Sequence, residues 1–313
     1  MPFKTSPQKF NAAIGSVEVG SGDKKIVLGG QSVLPFYTFD AEIANAQKVG
    51  VEISDLGLEG YVDGIKEFYG NATDIAELAK KAQTIEGADF ICLRMDGADP
   101  NGANQSVEEC VKIAKAVCDA IDLPLMVAGC KNSEKDAVLF EKIAEALAGK
   151  NVAFLSAKEE TYKVVGASAG LAYGQIVGAE SACDINLAKQ LNVLLTQLGV
   201  NAKNIVMNLG SAAAGYGFEY VSSTMDRVIL AALGQNDAML QMPVITPVSF
   251  ETWTVKEAVM PEADAPEWGN LELRGVDMEV VTAAACLASG SNAVILRHPR
   301  SVATISKMIK ELM

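Results

Sequence analysis

The sequence predicts an α/β protein, a (β/α)8 TIM barrel with an N-terminal extension, on three observations. From residue 49 onward, eight short apolar runs alternate with helical patterns. Most runs are continuously apolar rather than alternating, as parallel strands buried on both faces are. No glycine-rich dinucleotide fingerprint follows the first run, which disfavours a doubly wound open sheet.

Residues 1–48 read as an extension packing on the barrel of 49–313. Within it, KKIVLGG (24–30) has strand character, and LPFYTF (34–39) is apolar, with Pro35 arguing against a helix. The segment 34–39 is expected to close one end of a core or to face a partner. The barrel strands are expected in VGVEISDLG (49–57), ADFICLRMDG (88–97), LPLMVAGC (123–130), NVAFLSA (151–157), GQIVGAE (174–180), NIVMNLG (204–210), MPVITPVS (242–249) and NAVILRH (292–298). Two prolines weaken the seventh of these as a strand. If 242–249 is a loop, 24–30 must supply the eighth strand. Residues 250–274 read as an acidic insertion broken by Pro261 and Pro266.

The helices between the runs carry start and stop signals. Asn71 and Thr73 precede TDIAELAKKAQTIEG, expected to end at Gly87. Ser106 with Glu109 forms a capping box, and Ser133 with Asp136 is expected to do the same for the next helix. Asp184 caps INLAKQLNVLLTQLG, which ends at Gly199. Pro299 suits the first position of the last helix.

Composition bounds the function. The 313 residues carry 39 acidic against 26 basic side chains, a formal charge of −13. Such a surface repels phosphate backbones, so nucleic acid is not expected as a partner. No apolar run is long enough for a membrane span and the N-terminus lacks an apolar signal core, so a soluble, cytoplasmic chain is expected. The cysteines are Cys92, Cys110, Cys118, Cys130, Cys183 and Cys286. None forms a C-x-x-C or Cys/His pattern, so they read as reduced thiols and an iron–sulfur cluster held by this chain alone is not expected.

In a TIM barrel, function sits at the C-terminal ends of the strands. That rule selects Asp55 and Glu59; Arg94, Asp96, Asp99 and Asn101; Lys131 and Asn132; Ser156 and Glu159; Glu180 and Ser181; Asn208 and Ser211; Thr246 and Ser249; and Arg297, His298 and Arg300. His298 is the only histidine, so neither a Ser/His/Asp set nor a zinc site is expected around it. Followed by proline, it also serves as a plain cap. The loop GSAAAGYG (210–217) is built of small residues that let a backbone or broad ligand approach, and it lacks the G-K-[ST] of a P-loop. The residues expected to face a bound cofactor are Asp96, Asp99, Asn101, Asn208, Gly210, Ser211, Gly215, Arg297 and His298, with no catalytic residue and no metal ligand.

The blocks LGGQSVLPFYTFD (28–40), DFICLRMDGADPNG (89–102), DINLAKQLNVLLTQLG (184–199), NIVMNLGSAAAGYGFEY (204–220), LQMPVIT (240–246), EWG (267–269) and ILRHPRSV (295–302) closely resemble the small subunit of the corrinoid iron–sulfur protein. Its archaeal counterpart is the acetyl-CoA decarbonylase/synthase delta subunit. The resemblance covers essentially the whole chain. It implies a TIM barrel paired with a large subunit that carries a [4Fe–4S] cluster and the corrinoid-binding domain, with the cobamide between that domain and the barrel top. It further implies a methyl carrier in the anaerobic acetyl-CoA (Wood–Ljungdahl) pathway of carbon dioxide fixation. The cobalt would take methyl from methyltetrahydrofolate through a methyltetrahydrofolate:corrinoid methyltransferase and deliver it to acetyl-CoA synthase. The alternative is a pterin-dependent methyltransferase on a similar barrel, with Asp55, Asp96 and Asn208 holding the pterin. The N-V-T-P-D-S-F opening of dihydropteroate-synthase-like chains is missing here. A third possibility is a structural subunit that touches no cofactor.

Overall fold

The computed structural model describes residues 6–313, so residues 1–5 of the expected extension lie outside the described residues. The chain begins with an antiparallel hairpin of β1 (Ser16–Val19) and β2 (Ile26–Gly29), in which Val17 lies opposite Leu28. Then come β3 (Lys48–Ser54), α1 (Asp63–Tyr69), α2 (Ile75–Ala82), β4 (Phe90–Arg94), α3 (Val107–Ala120), β5 (Leu125–Ala128) and α4 (Ser133–Ala146). They are followed by β6 (Ala153–Ala157), α5 (Tyr162–Val165) with a π-helical extension over Gly166–Ala172, β7 (Ile176–Glu180), α6 (Ile185–Leu198), β8 (Ile205–Asn208) and α7 (Phe218–Gly234). The chain closes with β9 (Ile245–Thr246), α8 (Ser249–Thr252), α9 (Lys256–Val259), α10 (Leu271–Ser289), β10 (Ala293–Leu296) and α11 (Pro299–Leu312).

Strands β3 to β10 make one parallel eight-stranded sheet in the order β8-β7-β6-β5-β4-β3-β10-β9. Its two edges meet where Met207 bridges Val244 and the Met207 N–H donates to the Pro243 carbonyl at 2.8 Å, which closes the barrel. The proline-bearing run 242–249 therefore supplies the eighth strand. Pro243 and Pro247 cannot donate to a ladder, and only the two residues Ile245 and Thr246 between them form β9. The run 24–30 instead forms β2 of the hairpin.

Both faces of the sheet are dry, which is why the strands read as continuous apolar runs. The outer face (Val49, Val51, Ile91, Leu93, Val127, Val177, Met207) packs on the helices. The inner face (Phe90, Cys92, Met126, Leu155, Ile176, Val206, Ile295) packs on itself and on Val17, Val19 and Leu28 of the hairpin, which plugs one end of the barrel. Gly50 is what admits the Phe90 ring to this interior, because a Cβ there would overlap it. Asn151 clamps the plug: its Nδ2 donates to the carbonyls of Glu18 (2.7 Å) and Gly20 (3.1 Å), and its own carbonyl accepts the Gly20 N–H. The 34–39 segment does not close the barrel end; Leu34 and Phe36 pack on the core from outside, while Tyr37 and Phe39 are exposed.

The helix signals fall into two groups. The Ser106–Glu109 capping box forms, Asp184 accepts from the N–H groups of Asn186 and Leu187, Gly199 ends its helix at φ 107°, and Pro299 opens α11. Elsewhere the cap is one residue displaced. Asp74, not Asn71 or Thr73, caps α2, and Asn132, not Ser133, caps α4. Ser133 Oγ turns outward to Glu160, and Asp136 reaches back to the Cys130 N–H. Helix α2 stops at Ala82 rather than Gly87; the N–H groups of Thr84 and Ile85 donate to Lys81 and Ala82, tightening the chain into turns. The acidic stretch from 250 runs through α8, α9 and a short turn at Pro266–Trp268, and from Leu271 it is the first turn of α10.

Candidate functional site at the barrel mouth

The C-terminal mouth of the barrel divides into a filled half and an open half. The filled half lies over β3, β4 and β10. Glu52 of β3 is 1% exposed, and its Oε1 accepts from Arg94 Nη1 (3.1 Å), Arg297 Nε (3.1 Å), Arg297 Nη2 (2.9 Å) and the Tyr61 hydroxyl (3.3 Å). Asp96 completes the charge balance by accepting from Arg94 Nη2 and Ser54 Oγ, both at 2.7 Å. Burial alone would raise the Glu52 carboxyl, but the Arg297 and Arg94 guanidiniums outweigh it and hold it below the usual carboxylate range. Arg297 lies over the Tyr61 ring at 4.6 Å and Arg94 over the Phe250 ring at 4.5 Å, so aromatic faces finish the enclosure.

Beside this cluster, Asp55 Oδ1 accepts the Gly97 N–H at 2.8 Å. Burial, reinforced by the neighbouring Asp96 charge, raises its pKa from 3.8 to about 6 against the pull of that hydrogen bond. His298 is 2% exposed and caps α11: its Nδ1 accepts the Arg300 N–H at 3.1 Å. Nε2 then carries the proton and faces Glu272 Oε1 at 3.3 Å. Burial lowers the His298 pKa, which keeps the ring neutral and able to accept at Nδ1. Behind it, fully buried Glu279 of α10 accepts the N–H groups of Arg297 (2.6 Å) and His298 (3.2 Å).

The open half is a cavity of about 390 Å³ over the ends of β5 to β9. Ala128, Leu155, Pro247 and Phe250 give it apolar walls. Its polar groups are Lys131, Asp136, Ser156, Lys158, Glu180, Asn208, Ser211 and Glu251. Asn208 organises them: Nδ2 donates to Ser156 Oγ (3.0 Å) and, at 3.4 Å, to Glu180 Oε2, while Oδ1 accepts the Gly210 N–H at 3.1 Å. Lys158 stands 3.7 Å from Glu180, and Lys131 bridges to Glu251 across the mouth at 3.3 Å. Asp136 accepts from both the backbone N–H and the thiol of Cys130, and burial raises its pKa. Ser211 Oγ is shielded from solvent and has no partner.

Of the residues expected at a cofactor, Asn208, Gly210 and Ser211 line this cavity. Asp96, Arg297 and His298 are committed to the interior contacts just described. Asp99 and Asn101 form a turn, with Asp99 Oδ1 accepting the Asn101 N–H at 2.9 Å. Gly215 lies on the outer lip at φ 84° with open space where a side chain would project. Asp55, Asp96 and Asn208 do not converge on the cavity: only Asn208 lines it. The residues that sequence reasoning passed over are Asp136, Lys158, Cys183, Phe250 and Glu251. Lys158 and Cys183 each sit one or two positions beyond a residue on the strand-end list, so a wider window at each strand end finds them. Phe250 and Glu251 follow Ser249 of that list by one and two positions at the start of α8, so the same window reaches them, whereas Asp136 lies a turn into α4, beyond it.

Among the described residues, no three His, Cys, Asp or Glu side chains are placed to hold a metal ion. No described helix is long and apolar enough to cross a membrane.

The sequence model of the family described as CO dehydrogenase/acetyl-CoA synthase delta subunit matches residues 16–296. The chain is 32% identical, over 99% of its length and 71% of the relative's, to acetyl-CoA decarbonylase/synthase complex subunit delta 1 of Methanosarcina thermophila. It is 30% identical, over 99% of its length and 70% of the relative's, to subunit delta of that complex from Archaeoglobus fulgidus. Among solved structures it resembles a dihydropteroate synthase of Xanthomonas albilineans with 4-aminobenzoic acid, at a TM-score of 0.57 and 13% identity over 95% of this chain and 98% of that one. A Yersinia pestis dihydropteroate synthase with a pterine-sulfa conjugate gives 0.52 and 12% over 85% and 93%. At such identities the likeness shows the barrel fold alone.

Proposed function

The chain belongs to the CO dehydrogenase/acetyl-CoA synthase delta subunit family, and from that premise we propose that it is the small barrel subunit of a corrinoid iron–sulfur protein. In this reading it pairs with a large subunit that holds the corrinoid domain and the [4Fe–4S] cluster. Its barrel mouth caps the cobamide while methyl arrives through a methyltetrahydrofolate:corrinoid methyltransferase and leaves toward acetyl-CoA synthase. When bound, the cobamide supplies a cobalt that takes up a methyl group and gives it on.

The observation that carries the reading is the shape and chemistry of the mouth. The rim 210–215 has no side chain larger than serine, and Gly210 and Gly215 take left-handed backbone (φ 89° and 84°), so a broad flat ligand can lie across it. The buried, partnerless Ser211 Oγ fits a ligand that brings a polar group to the rim. The rest of the mouth suits a shield. The Glu52–Arg94–Arg297 cluster keeps half of it filled, and apolar walls at Leu155, Pro247 and Phe250 flank the polar groups of the other half, which a bound cobamide would close off from water. In this reading the chain's own residues bind, orient and shield the cofactor.

Anaerobic purification of the tagged chain from its host tests the proposal. A larger partner should accompany it, bringing cobalt and iron in fixed ratio. A chain recovered alone that binds methyltetrahydrofolate tightly and saturably would favour the pterin-dependent enzyme instead.

A further inference from the structure

Resting on the reading that a cobamide lies over the mouth, we infer that the cavity between β5 and β9 receives a primary-amide arm of the corrin ring, with Glu180 accepting the amide N–H and the hydroxyls of Ser156 and Ser211 donating to its carbonyl.

The volume of about 390 Å³ lies near the lower end for a whole small-molecule ligand, roughly 300–1,000 Å³. A corrin macrocycle with its substituents does not fit inside; one of the amide arms that fringe it does, while the ring rests on the small-residue rim.

The polarity selects the group. Glu180 is held loosely, with Asn208 Nδ2 at 3.4 Å from one oxygen and Lys158 Nζ at 3.7 Å from the other, so its acceptor capacity is unspent. Ser156 Oγ accepts from Asn208 and keeps its own proton to donate. Ser211 Oγ has no partner at all. An anionic ligand would meet Glu180, Asp136 and Glu251 against two lysines, both already beside carboxylates, Lys131 with Glu251 and Lys158 with Glu180. A cationic ligand would meet Lys158. A neutral group that donates and accepts through adjacent atoms satisfies both kinds of lining group, and a primary amide is such a group.

Backbone strain points to the same cavity independently. Lys131, Ala182 and Cys183 are all non-glycine residues at positive φ (70°, 45° and 65°), and all three line it. Such conformations concentrate where a fold clamps a ligand.

The thiols supply a reporter. Cys183 lines the cavity, whereas Cys118 lines a separate depression beside the hairpin; both are half-buried. In the assembled complex, N-ethylmaleimide labelling read by peptide mass spectrometry should slow at Cys183, and not at Cys118, when corrinoid is loaded. The apo-complex is then loaded with either cobinamide or heptamethyl cobyrinate, whose arms are methyl esters without N–H groups. Wild type should prefer the amide corrinoid, and Glu180→Gln should shrink that preference about tenfold, the worth of one hydrogen bond to a charged acceptor. Ser211→Ala, which removes one hydroxyl at the rim, should shrink it to a smaller degree. If Cys183 is protected but neither substitution alters the preference, the amide-arm inference is overturned while the capping role stands. If Cys183 is not protected, the capping role fails and the inference fails with it.

Discussion

Glu52 is the residue on which the filled half of the mouth turns. Its single oxygen Oε1 serves two guanidiniums and a phenol inside a fully buried site. Glu52→Gln leaves Arg94 paired with Asp96 but strips Arg297 of its carboxylate partner, and an uncompensated buried charge costs about 3–5 kcal/mol. Urea unfolding should show a loss of that size; a loss below ~1 kcal/mol, the scale of an exposed pair, would show that the cluster is solvated. Asp55 carries a second prediction, in pH. Its folded pKa of about 6 lies above its ordinary 3.8, so the folded state binds the proton more tightly than the unfolded state. Stability from this group is present below 3.8 and is lost as pH rises through about 6. Asp55→Asn, which keeps the acceptor for Gly97, should therefore gain on wild type across that window, by at most about 3 kcal/mol, and hold the gain at higher pH. A gap independent of pH would contradict it. Side-chain commitments of this sort are what a sequence conceals. Arg297 and His298 occupy ligand-facing positions at the end of β10, yet Glu52, distant in the chain, claims the Arg297 guanidinium, and Glu272 and the Arg300 N–H claim the His298 ring. Asp136 sits where a capping residue belongs and turns instead to Cys130.

At the scale of elements, legibility followed burial. The strands stand out because both faces are apolar, and β9 survives its prolines because Ile245 and Thr246 suffice to join β10 while Val244 just before them meets β8. Caps were legible where the side chain had no competing partner, as at Ser106 and Asp184, and were displaced where an adjacent Asp or Asn sat nearer the first free N–H, as at Asp74 and Asn132. The hairpin plug was hidden, since a short strand read alone does not say which sheet it joins. Its attachment through Asn151 yields an element-scale prediction. Asn151→Ala removes both side-chain hydrogen bonds to the β1–β2 hairpin, at Glu18 of β1 and Gly20 of the turn. Hydrogen exchange should then speed in residues 16–29 while β4 and β5 stay protected, as for a locally opening unit. Acceleration spread evenly over the barrel would mean that plug and barrel open as one.

For the molecule as a whole, the barrel and the family were legible, because the pattern of doubly buried strands and the long resembling blocks extend over the chain. The cavity was only partly legible, because its wall assembles from five strand ends and from Phe250 of α8, and no local pattern records which loops face one another. The central claim is that this mouth covers a cobamide held by a larger partner. The most direct measurement takes the corrinoid-loaded large subunit, reduced to cobalt(I), and follows the loss of its absorption spectrum on exposure to trace oxygen, with and without this chain. The account predicts a shifted spectrum and slower oxidation once the chain is bound. An identical spectrum and an identical rate in a complex shown to have formed would contradict it.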